Sequence, residues 1–341
     1  MLKASLHKHK LIFKEPGGTS RGILTSKLSW YIKVWNAESP EIKGVGECSV
    51  LQGLSPDSCP ELEDMLLWCC DNINEINDSY HNLLEQWPAV RFALETAFLD
   101  LKNGGAGNLF STAFTENKAG IPINGLIWMG KPEEMKARIK EKLSSGFRCL
   151  KLKIGAIEFS DEYSILKELR TNFSPDELEL RVDANGAFSM KDAPTILEKL
   201  AKLKIHSIEQ PIKTGQWNQM QRLCEISPIP IALDEELIGI NDAKQRSEML
   251  SFIKPQYIIL KPSFTGGFLS SGEWISIAES NNCKWWITSA LEGNIGLNAI
   301  AQWTASLNVT MPQGLGTGMV FTNNIESRLK IENGALFYEK E

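Results

Sequence analysis

A chain of 341 residues, 43% hydrophobic and 23% charged, is long enough for a barrel with an added domain and has the composition of a packed soluble fold. Its net charge of −6 gives nucleic acid no basic footprint, and no apolar run approaches the roughly 18 residues that cross a bilayer. Seven cysteines without metal-ligand spacing, behind an N-terminus too polar for a signal peptide, fit free thiols in a reducing cytoplasm.

Up to residue 118 the pattern is mixed. Leu28, Trp30, Ile32 and Val34 alternate with polar or amphipathic neighbours, which predicts a strand, and a second fits residues 42–50. Two amphipathic helices follow. Leu62, Met65, Leu66 and Cys69 share one face of the first, and Val90, Ala93, Leu94, Ala97, Phe98 and Leu101 one face of the second, which Gly104, Gly105 and Gly107 end. Strands and then helices predict a separate α+β domain over 1–118.

From Ile121 strand and helix alternate. Candidate strands are 121–127, 148–154, 179–184, 205–210, 229–234, 256–261, 285–289 and 312–317, with amphipathic stretches between them. The helix that carries Ile196, Leu200 and Leu203 is expected to be capped by Ser189. Eight strands with short crossovers predict an α/β barrel over 119–317, followed by a C-terminal segment, 318–341, that packs back on the first domain. A doubly wound sheet is the competing architecture, but it would gather its active groups at one switch point. Here five consecutive strands each contribute one.

Those groups are Lys153, Asp183, Glu209, Asp234 and Lys261, spaced 30, 26, 25 and 27 residues apart, with Lys151 beside the first. A strand with its crossover helix takes about thirty residues, so this rhythm brings them to one rim of a parallel barrel, where barrel enzymes keep their chemistry. Lys151 and Lys153 share a strand face, as do Arg181 and Asp183. Taken singly, Lys-x-Lys reads as a solvated edge and each acid as a turn or a strand end. Together they form an all-oxygen set, three acids from neighbouring staves gripping one ion, suited to Mg²⁺. The absence of histidine and cysteine among them argues against zinc, and His7, His9, His81 and His206 receive no catalytic role. A carboxylate substrate held there can lose its α-proton to a lysine that Lys151 and a divalent cation make easier to deprotonate.

The motifs Lys151-x-Lys153, Val182-Asp-Ala-Asn185, Glu209-Gln-Pro211, Asp234-Glu235 and Lys261-Pro262 resemble those of the enolase superfamily, in its muconate-lactonizing subgroup. That resemblance implies a modified TIM barrel, (β/α)7β, with an N-terminal α+β capping domain completed by the C-terminal tail. It implies Mg²⁺ (with Mn²⁺ as a substitute) on Asp183, Glu209 and Asp234, Lys153 as the acid/base lysine, Lys261 on the opposite face, and Lys151 beside them. The stretches 288–296 and 314–324 are similar to the o-succinylbenzoate-forming branch, although Gly293 stands where serine is expected. The branch implies syn β-elimination of water from a succinyl-hydroxycyclohexadiene carboxylate through a metal-stabilised ene-diolate, in menaquinone biosynthesis. Arg181, Asn185, Ser263, Ser289, Leu291, Gly316, Thr317 and Ser20 are then expected to bind the substrate, a small-molecule carboxylate, in a cytoplasmic enzyme for which a homo-oligomer is allowed.

Gly314-Leu-Gly-Thr-Gly318 could cradle a phosphate or clear space for the succinyl carboxylate, and the lack of a basic partner favours the second. Loops 17–22 and 51–55 read as surface turns or, by analogy with the family, as lids. The competing functions are another isomerase of the subgroup (a dipeptide epimerase, an N-acylamino-acid racemase or a cycloisomerase) and a non-catalytic scaffold. No acid in Gly316–Phe321 is available for a substrate ammonium, and no ligand or base position is lost.

Overall fold

The computed structural model describes residues 1–19 and 22–339. Three antiparallel strands open the chain in the order β1 (Leu2–Thr19), β2 (Gly22–Asn36) and β3 (Ser39–Ser49). The first has no counterpart in the sequence reading. As an edge strand it leaves Leu2, Ala4 and Leu6 only partly covered, and the polar run His7-Lys8-His9-Lys10 breaks their alternation before apolar residues resume at Leu11 and Phe13.

Four helices follow: α1 (Leu62–Asp71), α2 (Ile73–Ile76), α3 (Tyr80–Leu83) and α4 (Pro88–Lys102). Trp30, Ile32 and Val34 of β2 share one core with Leu66 of α1 and with Val90, Ala93, Leu94 and Ala97 of α4. Gly46 makes this contact close: a Cβ there would stand 1.8 Å from the Ala93 carbonyl oxygen, so β3 meets α4 backbone to backbone.

After β4 (Ile121–Pro122), which joins a separate small sheet, the barrel sheet starts at β5 (Gly125–Ile127). Helix α5 (Pro132–Ser144), β6 (Cys149–Lys153), α6 (Phe159–Asn172), β7 (Glu179–Asp183), α7 (Ala193–Lys202) and β8 (Ser207–Glu209) come next. After them come α8 (Trp217–Ile226), β9 (Ile231–Leu233), α9 (Ala243–Ile253) and β10 (Tyr257–Leu260). The last units are α10 (Pro262–Thr265), α11 (Gly267–Ser280), β11 (Lys284–Ile287) and α12 (Asn294–Ser306). Strands β5 to β11 pair in parallel, each with the next. The ring closes through residues 312–314, where Gln313 bridges Ile123 and Gly314 bridges Thr288, both in parallel. Strands covered on both faces carry apolar runs, as at Ile208, Ile231, Leu233, Ile258 and Leu260, all fully buried.

One helix start differs from expectation. The helix after β7 begins at Ala193 with Asp192 in the cap position, while Ser189 donates its hydroxyl to Asp192 Oδ2 at 2.6 Å within the preceding turn.

The end of the chain touches both domains. Asn323 bonds the backbone of Lys10 and Ile12, while β12 (Leu329–Glu332) pairs with β13 (Ala335–Tyr338), which pairs in turn with β4. A second joint runs through Glu47 of β3. It accepts from the Gly293 and Gly296 amides at 2.7 and 2.9 Å, placing a capping-domain carboxylate at the positive N-terminus of α12. No described helix is long and apolar enough to cross a membrane.

Candidate active site

Lys151 and Lys153 lie on β6, Asp183 ends β7, Glu209 ends β8, and Asp234 and Lys261 follow β9 and β10. Lys153 is level with Asp183, and Asp183 with Glu209, so strand pairing alone sets these side chains side by side. Strands β6 and β10 stand four staves apart, on opposite sides of the ring.

Each acid meets an ammonium. Lys151 Nζ is 2.5 Å from Glu209 Oε2 and 3.1 Å from Asp183 Oδ2. Lys153 Nζ lies 3.0 Å from Asp183 Oδ2 and 2.7 Å from Asn185 Oδ1, and Lys261 Nζ bonds Asp234 Oδ2. Asn185 holds φ +45°, which lets its amide donate to Asp183 Oδ1 at 3.1 Å and its side chain to Glu235 Oε1 at 2.9 Å. Burial would strip Lys151 of its proton, but Asp183, Glu209 and Asp234 outweigh it and hold the amine more basic than usual. Burial likewise opposes the Asp183 charge, yet Lys151, Lys153 and Lys261 keep that carboxyl well below the usual carboxylate range.

The acids suit a hard divalent cation in chemistry. All are oxygen donors no more than 2% exposed, and Glu209 Oε1 is buried without a hydrogen-bond partner. They are not, however, a preformed grip: among the described residues no three His, Cys, Asp or Glu side chains converge as a metal cage. The reason is charge, since each buried carboxylate turns toward a lysine. A cation there would have to draw Asp183, Glu209 and Asp234 off their ammonium partners.

Above this layer lies a cavity of about 370 Å³, within the range of small-ligand sites. Lys151, Lys153, Asp183 and Lys261 line it, together with the expected Asn185, Ser289, Leu291, Gly316 and Thr317. The hydroxyls of Ser289 and Thr317 bond each other. Ile23, Leu24, Leu51, Gln52 and Leu54 reach it from the capping domain.

Two expected substrate ligands lie elsewhere. Arg181, 1% exposed, sits in the barrel interior a layer below, stacked 4.6 Å from the Trp286 ring and bonded to Glu179 Oε1 and to the Pro312 carbonyl. Strand parity gave its face correctly but not its depth, and from there it plugs the barrel. Ser263 does not line the cavity either; its hydroxyl donates to the buried Glu292 Oε1 at 2.5 Å. Ser20 falls outside the described residues.

Sequence reasoning passed over Asn124, Leu126 and Trp128 at the top of the first stave, and Glu235, which was read only as part of a motif. The barrel rule could have found the first three, since every stave end faces the cavity.

A closed parallel barrel with acids and lysines on one rim, roofed by an α+β domain, defines the class. The chain belongs to the enolase superfamily, whose Enolase C-terminal domain-like family model matches residues 134–339. More particularly, it is 46% identical to the o-succinylbenzoate synthase of Desulfotalea psychrophila, covering 98% of each chain. The crystal structure of MenC from that organism superimposes with a TM-score of 0.85 at 43% identity, over 98% of this chain and 99% of the other. The L-Ala-D/L-Glu epimerase of Bacillus subtilis is 27% identical over 69% of this chain and 70% of its own. A dipeptide epimerase from Enterococcus faecalis shares the fold, with a TM-score of 0.83 at 21% identity over 100% and 97% of the two chains.

Proposed function

We propose that this chain is a hydro-lyase that forms o-succinylbenzoate by removing water from 2-succinyl-6-hydroxy-2,4-cyclohexadiene-1-carboxylate, a step of menaquinone biosynthesis. The observation that carries the reading is 46% identity to an o-succinylbenzoate synthase along 98% of both chains.

Asp183, Glu209 and Asp234 would hold the divalent metal of the superfamily, Mg²⁺ in our reading with Mn²⁺ as a substitute. When bound, such an ion offsets negative charge that develops on the substrate carboxylate. Lys153, in its neutral form, takes the proton from the carbon bearing the carboxylate. The electron pair of that C–H bond shifts first toward the carboxylate and then, as the neighbouring C–O bond breaks, becomes a ring double bond, so that the ring turns aromatic. Lys153 then returns its proton to the departing hydroxyl, which leaves as water, so one base on one face serves both halves of a syn elimination. Asn185, 2.7 Å from the Lys153 amine, orients it. Lys261, across the barrel beside Asp234, faces the ring from the other side, where its positive charge supports the negative charge that develops. Leu291, Leu51 and Leu54 give the cavity apolar walls. The setting is cytoplasmic in this reading, in keeping with seven cysteines that are all free.

The test is to mix the purified protein with the cyclohexadiene and Mg²⁺ and follow ultraviolet absorbance. The aromatic product should appear and should stop forming on chelation. Epimerisation of N-acyl amino acids or dipeptides, without the aromatic band, would move the assignment to the isomerases of the subgroup.

A further inference from the structure

The capping domain reaches the cavity with two segments, and one buried amine ties both to the barrel. Lys27, 7% exposed, follows Leu24 by three residues on β2 and does not itself line the cavity. Its Nζ donates to Ser49 Oγ, two residues before Leu51, and to the Leu291 carbonyl at 2.8 Å. Leu24, Leu51 and Leu291 are all cavity walls. The three walls come from two domains and three separate parts of the sequence, and Lys27 is bonded to or continuous with each.

The barrel side of this joint needs holding. Leu291 has φ +60°, a left-handed conformation that a leucine keeps only where its surroundings impose it. The next residue, Glu292, is fully buried and accepts from Ser263 Oγ and the Ala290 amide, and the Gly293 amide is taken by Glu47. Burial works against the charge of Lys27, while Glu47 and Glu292 support it. The walls that meet here are apolar, so their spacing sets the width of this part of the cavity.

We propose that Lys27 is a positioning residue: it fixes the 23–24 and 51–54 walls of the capping domain against Leu291 of the barrel and so sets the fit of the substrate's side arm. The proposal rests on the reaction assigned above for its kinetic half, and on backbone geometry alone for the other half.

The test uses Lys27→Met, which keeps the length and loses both bonds, and Ser49→Ala, which loses one and leaves no buried charge uncompensated. In Lys27→Met, KM for the cyclohexadiene should rise at least tenfold with kcat within threefold of the wild type, because Lys27 touches no reacting atom. Amide hydrogen exchange should quicken at 51–54 and 290–293 but not in α4. Ser49→Ala should quicken exchange at 51–54 alone and raise KM by a smaller factor, which keeps the idea testable if Lys27→Met does not fold. An unchanged KM, or faster exchange spread evenly over the chain in step with a lower Tm, would overturn it. Wild-type turnover of the cyclohexadiene judges the assigned reaction separately, and the exchange comparison decides the positioning role whether or not that reaction holds.

Discussion

Lys153 and Lys261 face each other across the barrel, on strands four staves apart, and each amine rests on a different acid, Asp183 or Asp234. In the proposed reaction a ring bound between them would have one amine on each face, one to transfer the proton and the other to stabilise charge.

Lys261→Ala should therefore lower kcat by about 10²–10³, the usual cost of removing one preorganised electrostatic partner, with a smaller change in KM. Steady-state kinetics check this. An unchanged kcat would mean that the second amine has no part in the transition state.

Mg²⁺ should bind only when all three acids are present, and should stabilise the fold. A ligand at one hundred times its Kd adds about 2.7 kcal/mol, enough to raise Tm by several degrees. Asp234→Asn should erase that rise in a thermal melt. A melt insensitive to Mg²⁺ in the wild type would count against the metal assignment.

Glu47→Ala removes the acceptor for the Gly293 and Gly296 amides and for Ser29 Oγ at 2.8 Å. Unmet buried donors cost roughly 1–3 kcal/mol each, so urea unfolding should show a loss of about 3 kcal/mol or more. A loss below about 0.5 kcal/mol would show that water replaces the carboxylate freely.

Asp57 gives a pH dependence with a definite sign. Burial pushes its carboxyl from an ordinary 3.8 up to about 7, against the Ala89 and Val90 amides that donate to it. The folded chain thus holds a proton that the unfolded chain has released. The stability this contributes is complete below pH 3.8 and is lost as pH rises to about 7. Glu95, also raised to about 7 by burial, acts in the same direction, whereas the lowered Asp183 acts in the opposite sense only at more acid pH. Asp57→Asn should flatten the decline of the urea midpoint between about pH 4.5 and 7. An unaltered slope would place the titration elsewhere.

Much of this was legible in the sequence because parallel barrels write themselves in period. The eight candidate strands of the barrel all lie where staves stand, and two-residue parity put Lys151 with Lys153 on one face. Parity does not report depth: Arg181, expected at the substrate, lies in the layer beneath the cavity on Glu179, Trp286 and the Pro312 carbonyl. Ser263 lies beside the Lys261-Pro262 motif, but its hydroxyl turns to Glu292, a partner 29 residues away that no local pattern links to it. The same limit hid Glu47 and Lys27, whose roles arise only when capping domain and barrel meet. Strand β1 was lost because its alternation at Leu2, Ala4 and Leu6 is cut by four polar residues, His7 to Lys10, that an edge strand tolerates.

The most direct measurement is single-turnover chemistry with Lys153→Ala in the presence of saturating Mg²⁺. The account predicts a fall in the aromatisation rate of about 10³-fold or more, with Mg²⁺ affinity by calorimetry close to that of the wild type. Aromatic product formed at the wild-type rate by the metal-loaded variant would contradict it.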